Sequence, residues 1–393
     1  MQSYNMLPQV EQSLQHILHH REAYIQDRAK RQLPNRPFIV GVSGCQGSGK
    51  TTLCDTLAHL LSDSEKHNLS VVSFSLDDFY LSRNDQAKLA AANPDNKLLQ
   101  VRGQPGSHDL QLARTTLNHL LDPEATSVAI PSYDKSCFGG LGDRRDTSEW
   151  KTVYAPYDII LFEGWSQGFK PLPPTELKRM YREATGRMAL QPLKSLEQLN
   201  RNLSRYEDDL YSFFDIFIHL SPADPEQVYN WRLQQEHHMK STRGVDGMTD
   251  EAVRAFVDTY MPAYELYLPR LDRVGFFGQG VRGEPLKPYE GPQRADGGYS
   301  GPERHLRFVL DQERRVIRTQ HMKETVMVGS PKIGGGNTGA ENNNGQGGVV
   351  TRFGSTSRFL FSCTMIGLLS YFGFSRRRKI ADAALRYARA KQL

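Results

Sequence analysis

Eight consecutive residues have types and a spacing that suit phosphate binding. They match the pattern G-x-x-x-x-G-K-[ST] and are Gly44, Cys45, Gln46, Gly47, Ser48, Gly49, Lys50 and Thr51, followed by Thr52. Glycines let the backbone approach a ligand closely, and the N–H groups at a helix start attract anions. Lys50 would reach the β- and γ-phosphates of a nucleotide, and the Thr51 hydroxyl would bind its magnesium ion. We therefore expect nucleotide binding at residues 44–52.

Acidic side chains follow two other predicted strands at the point where each strand ends. Asp77 and Asp78 come directly after the strand expected at 71–76, and Glu163 follows the apolar run at 158–162. In an open parallel sheet, ligands bind beyond the carboxyl ends of the strands, so these carboxylates should face the nucleotide. The pattern favours a base or metal ligand at Asp77 and a magnesium ligand at Glu163. A helix cap or a turn is the alternative for the Asp pair.

The phosphate-binding pattern stands between a strand and a helix, which is the setting it requires. Residues 38–42 are a continuous apolar run of strand length, and the helical spacing that follows is carried by Leu53, Leu57, Leu60 and Leu61. Further strands are predicted at 127–130, 213–220 and 305–310. The sequence thus predicts an α/β fold with a mostly parallel central sheet.

Two glycine-containing loops carry polar side chains that could contact a substrate. Residues 102–109 include Arg102, His108 and Asp109, although Asp109 also suits the N-cap of the next helix. The second loop follows the strand at 127–130 and contains Tyr133, Lys135 and Arg144. Loops of this kind at a sheet edge either hold substrate or connect elements without a further role.

Helices are predicted at both ends of the core, and they carry charged residues and histidines. After the strand at 213–220, helices expected at 224–241 and 249–268 could form a lid, with Arg232 as the first candidate and Arg243 as the second to contact phosphates. A solvated charged face is the alternative. A helix or helix pair is predicted at 4–33, and its histidines are expected to be surface residues without a role. Residues 170–210 suggest no chemistry.

Charge and cysteine content limit the class of protein. The net charge is +5, yet residues 325–393 contain ten Lys or Arg and two acids, so residues 1–324 carry about −3. The main body therefore gives no indication of nucleic-acid binding. The four cysteines have no metal-ligand spacing, which fits a reducing compartment. No signal or transit peptide is recognisable at the N-terminus, so a cytoplasmic location is expected.

The last 69 residues, 325–393, differ in character from the rest. Gly and Asn runs predict a low-complexity linker, and residues 359–374 are mainly apolar and precede four basic residues. This apolar run is shorter than the roughly 20 residues of a membrane span. Three interpretations of the tail stay open: it contacts a membrane, it packs as an ordinary element, or it lies outside the working fold. The third is favoured, because nothing earlier in the chain requires the segment.

Motifs distributed over about residues 35–320 resemble the plant and fungal type of D-glycerate 3-kinase. The segments that carry this resemblance are 44–51, 75–80, 102–103, 106–110, 133–136, 161–165, 228–233 and 260–264. The strand-end Asp with an aromatic residue two positions on, and the Phe-Glu-Gly element, are shared with a wider group that includes uridine kinase and phosphoribulokinase. The motifs after the phosphate loop are more specific than the loop itself.

The resemblance implies a P-loop NTPase fold, a three-layer sandwich with a helical lid at about 224–268. Three regions are expected: an N-terminal helical segment at 1–35, a kinase domain at 36–324, and a tail at 325–393 outside the core, in which the chain departs from the family. ATP and Mg2+ would be the cofactors, with Asp77 as the base near the acceptor hydroxyl and Glu163 as a further magnesium contact. In this reading Lys50 and Arg232 complete the catalytic set.

A D-glycerate substrate adds a carboxylate, for which a planar bidentate partner is the natural choice, so Arg102, Lys135 and Arg144 are the candidates to bind it, with His108 and Tyr133 shaping the pocket. The candidate substrate-binding residues are Asp78, Tyr80, Arg102, His108, Asp109, Tyr133, Lys135 and Arg144. Two rival hypotheses stay open. A kinase of another small alcohol or nucleoside would keep every motif and change only the pocket, and an ATP-binding switch protein would bind nucleotide without transferring phosphate.

Overall fold

The structure is a computed structural model that describes residues 6–243, 247–278 and 298–323. Its strands are Phe38–Gly44 (β1), Val71–Ser75 (β2), Ser127–Ile130 (β3), Tyr133–Asp134 (β4), Asp143–Arg144 (β5), Lys151–Tyr154 (β6), Ile159–Gly164 (β7), Ile216–Pro222 (β8), His305–Leu310 (β9) and Val316–Met322 (β10). Its α-helices are Pro8–Lys30 (α1), Lys50–Leu61 (α2), Arg83–Ala92 (α3), Leu110–Leu121 (α4), the short turn Cys137–Gly140 (α5), Pro174–Glu183 (α6), Leu193–Asp209 (α7), Gln227–Arg243 (α8), Asp250–Asp258 (α9) and Met261–Val274 (α10). The predictions for the tail at 325–393 lie outside these described residues.

The main sheet has the strand order β10-β9-β8-β1-β7-β2 within the described part of the chain. Pairing is parallel from β9 through to β2, and β10 is antiparallel to β9. All residues of β1, β7 and β8 are buried, which explains why their sequences read as continuous apolar runs and not as alternating ones. Helices flank this sheet. The predicted α/β architecture with a mostly parallel central sheet is confirmed.

The carboxyl ends of three neighbouring strands meet at one edge of the sheet. Glu163 on β7 is in register with Val42 of β1 on one side and with Ser75 of β2 on the other. The phosphate-loop segment follows β1, and the pair Asp77 and Asp78 follows β2. Strand register alone therefore brings the phosphate loop and the predicted carboxylates to one place.

Three elements differ from the sequence-based expectations. The strand at Ser127–Ile130 pairs with Lys151–Tyr154 in a separate two-stranded antiparallel sheet and does not join the main one. The main sheet instead ends in β10, a strand that the sequence analysis did not predict. The helix expected at 249–268 is divided into α9 and α10, and α10 begins with Pro262 in its first turn, where the missing N–H of proline costs nothing.

The N-terminal segment forms a single helix, α1, and the expectation that its histidines lie on the surface is wrong for two of them. His16 and His20 are buried, with their rings 4.4 Å apart, together with Val10, Ile17 and Tyr24 on the same helix. Burial lowers the pKa of His16 to about 3. His16 contacts the Arg304 carbonyl and His20 contacts the Tyr299 hydroxyl, 288 and 279 positions along the chain, so no local pattern could reveal this burial. No helix among the described residues is long and apolar enough to span a membrane.

Candidate nucleotide and acceptor site

The phosphate loop connects β1 to α2 through two glycines with a left-handed backbone. Gly47 and Gly49 have φ of +77° and +93°, and a Cβ on Gly47 would lie 2.7 Å from the Cβ of Trp231. Gly49 is the N-cap of α2, and no side chain caps the helix. Its first turn contains Lys50 and no acid. The start of α2 therefore keeps the positive end of the helix dipole open to an anion.

The predicted magnesium ligands Thr51 and Glu163 contact each other. The Thr51 hydroxyl donates to Oε1 of Glu163 over 2.9 Å, while Oε2 is buried and has no hydrogen-bond partner among the described residues. Burial raises the pKa of Glu163, and the opposing effects of Lys50, Thr51 and Lys135 do not cancel it. Oδ1 of Asp77, the third predicted ligand, is likewise buried and without a described partner.

This donor set fits a hard cation that also binds nucleotide phosphates. Within the described ranges, no group of three or more His, Cys, Asp or Glu side chains could hold a metal ion. Mg2+ commonly takes one or two carboxylates from a protein and further oxygens from phosphates and water. Two unpartnered carboxylate oxygens and one hydroxyl beside a phosphate loop suit that division of ligands.

Asp77 is paired with Lys135, a residue of the second predicted substrate loop. Nζ of Lys135 lies 2.5 Å from Oδ2 of Asp77. Burial by itself would raise the pKa of Asp77, but the charge and hydrogen bond of Lys135 outweigh burial and lower that pKa to about 2. Asp77 is therefore an ionised carboxylate at neutral pH, held beside a cation at the edge of the sheet.

The neighbouring Asp78 holds the turn that carries Asp77. Its Oδ2 accepts the Ser75 N–H over 3.0 Å, and the Ser75 hydroxyl accepts the N–H of Asp77, so the two residues form a capping box. Burial raises the pKa of Asp78 to about 7. Asp78 was predicted to bind substrate, but its described hydrogen bond is to Ser75 within its own turn. For Asp78 this contact agrees with the alternative prediction of a helix cap or turn.

Aromatic rings form one wall beside Asp77. His108 stacks on Tyr80 with centroids 4.4 Å apart, and its Nδ1 lies 2.6 Å from the hydroxyl of Tyr206. Burial lowers the pKa of His108 to about 4, so the ring is neutral at pH 7. Nε2 of His108 is buried and has no hydrogen-bond partner in the described structure. Tyr133 meets the Tyr80 ring edge-on at 5.4 Å.

The two arginines expected near the substrate carboxylate bind protein groups. Arg102 donates to the carbonyls of Gly140 and Leu141 in the α5 turn. Arg144 donates to the Tyr80 carbonyl over 3.0 Å and to Oδ2 of Asp109 over 3.1 Å. Oδ1 of Asp109 accepts the Leu112 N–H as the N-cap of α4. The geometry brings these residues to the site, where they hold its loops together.

The two arginines predicted to contact phosphates from the lid, Arg232 and Arg243, have different outcomes. Arg232 on α8 pairs with Glu236 over 3.0 Å, and its guanidinium lies 5.6 Å from the centroid of Phe256. Its described contacts are thus with α8 and α9, and its catalytic role stays a prediction. The side chain of Arg243 lies outside the described part of the chain.

Several contacts to the site come from residues to which the sequence assigned no role. Tyr264 on α10 accepts the Gln46 N–H over 3.2 Å, and Arg314 donates to the Gly47 carbonyl over 2.6 Å. Tyr206 lies on α7, in a region from which no chemistry was drawn. The only available signal was its helical spacing from Leu196, Leu199 and Leu203, which predicts burial but not a partner.

Comparison with known proteins identifies relatives with kinase names. The chain is 40% identical over 283 residues to D-glycerate 3-kinase, chloroplastic, of Arabidopsis thaliana, a match that covers 72% of this chain and 54% of that protein. It thus spans about half the length of that relative. It is 44% identical over 238 residues to the uncharacterized kinase mug58 of Schizosaccharomyces pombe, covering 60% of this chain and 83% of the relative.

A solved structure agrees with these sequence matches. D-glycerate 3-kinase from Cryptococcus neoformans is similar with a TM-score of 0.66 and 34% identity, over 80% of this chain and 99% of that one. No protein-family model matches the chain. The match includes nearly the whole length of the fungal protein, so the similarity extends over the whole fold and is not confined to the phosphate loop.

Proposed function

The chain belongs to the D-glycerate 3-kinase family of P-loop kinases, and we propose that it transfers the γ-phosphate of ATP to a hydroxyl of D-glycerate, giving 3-phosphoglycerate. One observation carries the choice of acceptor. An ionised carboxylate, Asp77, lies at the sheet edge beside the phosphate loop with the ammonium of Lys135 2.5 Å away. The Asp77 carboxylate suits an acceptor hydroxyl that must lose a proton, and the Lys135 ammonium suits an acceptor that is itself an anion.

In this mechanism the protein positions two reactants and does little covalent work. Lys50 and the uncapped start of α2 hold the phosphates, and Lys50 neutralises charge that develops during transfer. Asp77 orients the acceptor hydroxyl and accepts its proton. Thr51, Asp77 and Glu163 would hold Mg2+, which when bound supplies charge stabilisation to the phosphate oxygens.

Lys135 would bind the carboxylate of the acceptor. Arg102 and Arg144 were equal candidates from the sequence, but their guanidiniums hold backbone carbonyls and Asp109. The ammonium of Lys135 lies 2.5 Å from Oδ2 of Asp77, the carboxylate that would activate the acceptor hydroxyl, so an acceptor carboxylate close to that hydroxyl would lie within reach of Lys135. The stacked rings of His108, Tyr80 and Tyr133 would form one wall of the acceptor site and would limit the size of the acceptor.

The proposal is tested by offering ATP and Mg2+ with D-glycerate, L-glycerate, uridine and pantothenate separately and measuring ADP release. We expect turnover with D-glycerate far above the other acceptors, and 31P NMR should identify the product as 3-phosphoglycerate. Preferred turnover of uridine would replace the hydroxy-acid assignment by a nucleoside. ATP binding without turnover of any acceptor would favour the switch hypothesis.

Two parts of the sequence-based interpretation stay proposals. The region boundaries near residues 35 and 324 rest on composition and on the extent of the resemblance. The cytoplasmic location also stays a prediction, and the Arabidopsis relative is named as chloroplastic. Comparing turnover of the full chain with that of a version ending at Glu324 would test whether the tail contributes to catalysis.

A further inference from the structure

The turn between β9 and β10 reaches the phosphate loop, although the two are more than 260 residues apart in sequence. Nε of Arg314 donates to the Gly47 carbonyl over 2.6 Å. The same guanidinium donates to the Trp231 carbonyl over 3.2 Å and to Oε1 of Gln234 over 2.7 Å, both on α8. One side chain therefore joins the phosphate loop to α8.

The contact with Gly47 fixes a complete peptide unit of the phosphate loop. The Gly47 carbonyl accepts from Arg314, and the N–H of the next residue, Ser48, donates to the Cys45 carbonyl over 3.1 Å. Because a peptide unit is planar, its carbonyl and N–H must rotate together. Arg314 therefore opposes any rotation that would turn the Gly47 carbonyl oxygen toward a bound phosphate, where it would repel the ligand.

The turn itself is built to aim this side chain. Arg314 has φ of +64°, and Asp311 accepts the N–H groups of Glu313 and Arg315 over 3.0 and 2.8 Å. A second link to α8 comes from the indole N–H of Trp231, which donates to the Gln312 carbonyl over 2.7 Å. These contacts fix the backbone of the turn and thereby direct the Arg314 side chain toward the phosphate loop.

Close packing reinforces the junction. Trp231 is fully buried, and its Cβ would be only 2.7 Å from a Cβ at Gly47, so α8 lies directly on the phosphate loop. The guanidinium of Arg314 also lies 5.5 Å from the centroid of the Trp231 ring.

We propose that Arg314 is a positioning residue that locks the phosphate loop onto α8 and thereby sets the affinity for ATP. The proposal depends on nucleotide binding and not on the identity of the acceptor.

The test is ATP binding in the presence of Mg2+ and without acceptor, measured by titration calorimetry for the wild type and for Arg314→Met and Arg314→Lys. We expect Arg314→Met to weaken ATP binding about tenfold and to raise KM for ATP by a similar factor. KM for the acceptor should stay within about twofold. Arg315→Met is the matched control, since Arg315 lies in the same turn, is 72% exposed and pairs only within it among the described residues.

The lysine variant separates geometry from charge. Lysine keeps the positive charge and loses the planar fork that contacts Gly47, Trp231 and Gln234 together, so we expect it to recover little of the lost affinity. Full recovery by lysine would overturn the positioning role in favour of a charge effect. Unchanged ATP affinity in Arg314→Met would overturn the proposal, as would a loss of active protein with both KM values unchanged.

Discussion

Replacing Lys135 by methionine removes the ammonium beside Asp77 and keeps most of the aliphatic side chain. If Lys135 binds the acceptor carboxylate, the variant should lose its preference for an anionic acceptor over a neutral one. Glycerol is a suitable neutral comparison, because it replaces the carboxylate of glycerate by a hydroxymethyl group. The quantity to follow is the ratio of kcat/KM for D-glycerate to kcat/KM for glycerol.

The expected fall in this ratio follows from the exposure of the Lys135 side chain. A hydrogen bond between charged groups contributes about 1.5–3 kcal/mol. The Lys135 side chain is 38% exposed, so solvent screening places its contact with a carboxylate near the lower part of that range, at about 2 kcal/mol. Since about 1.4 kcal/mol corresponds to a factor of ten, we expect the acceptor ratio to fall about thirtyfold.

Lys135 also affects Asp77, and the ratio removes that contribution. Loss of the ammonium will alter the carboxylate that activates the hydroxyl, but this change acts on both acceptors alike. Lys135→Arg should keep most of the discrimination, and Lys88→Met, at an exposed lysine paired with Asp85, should leave the ratio unchanged. An equal fall in kcat/KM for both acceptors with Lys135→Met would refute the carboxylate assignment, because Lys135 would then act only through Asp77.

Three further predictions concern the phosphate loop, the base and the N-terminal helix. Lys50→Ala should abolish ATP binding and turnover, and normal turnover would be incompatible with the phosphate-loop assignment. Asp77→Asn should keep ATP affinity and slow single-turnover transfer by several orders of magnitude, whereas equal losses in both would indicate a structural role. His16 has a native pKa of about 3 against an ordinary value of 6.5, so the unfolded chain binds the extra proton first. The contribution of neutral His16 to the free energy of unfolding is complete above pH 6.5 and is lost as pH falls toward 3; the loss is about 2 kcal/mol at pH 5. Urea unfolding at pH 7 and pH 5 should therefore show a smaller decrease in the free energy of unfolding for His16→Gln than for the wild type.

Interactions between distant parts of the chain explain what the sequence analysis missed. Arg102 and Arg144 had the charge expected of carboxylate partners, but their hydrogen bonds go to loop carbonyls and Asp109. Which acceptor a guanidinium finds depends on the loops that fold around it, and residue type does not specify those loops. The burial of His16 and His20 likewise requires Tyr299 and Arg304, which lie far along the chain.

The phosphate loop, the acids at the strand ends and the α/β class could all be predicted from the amino-acid sequence. Each depends on a short run of residues, and parallel strands carry such runs to the same sheet edge, as the register of Glu163 with Val42 and Ser75 shows. Three contacts became visible only in the folded chain: Lys135 with Asp77, Tyr206 with His108, and Arg314 with the Gly47 carbonyl. These partners are separated by 58, 98 and 267 positions, and no periodicity of a helix or strand encodes a contact across such distances.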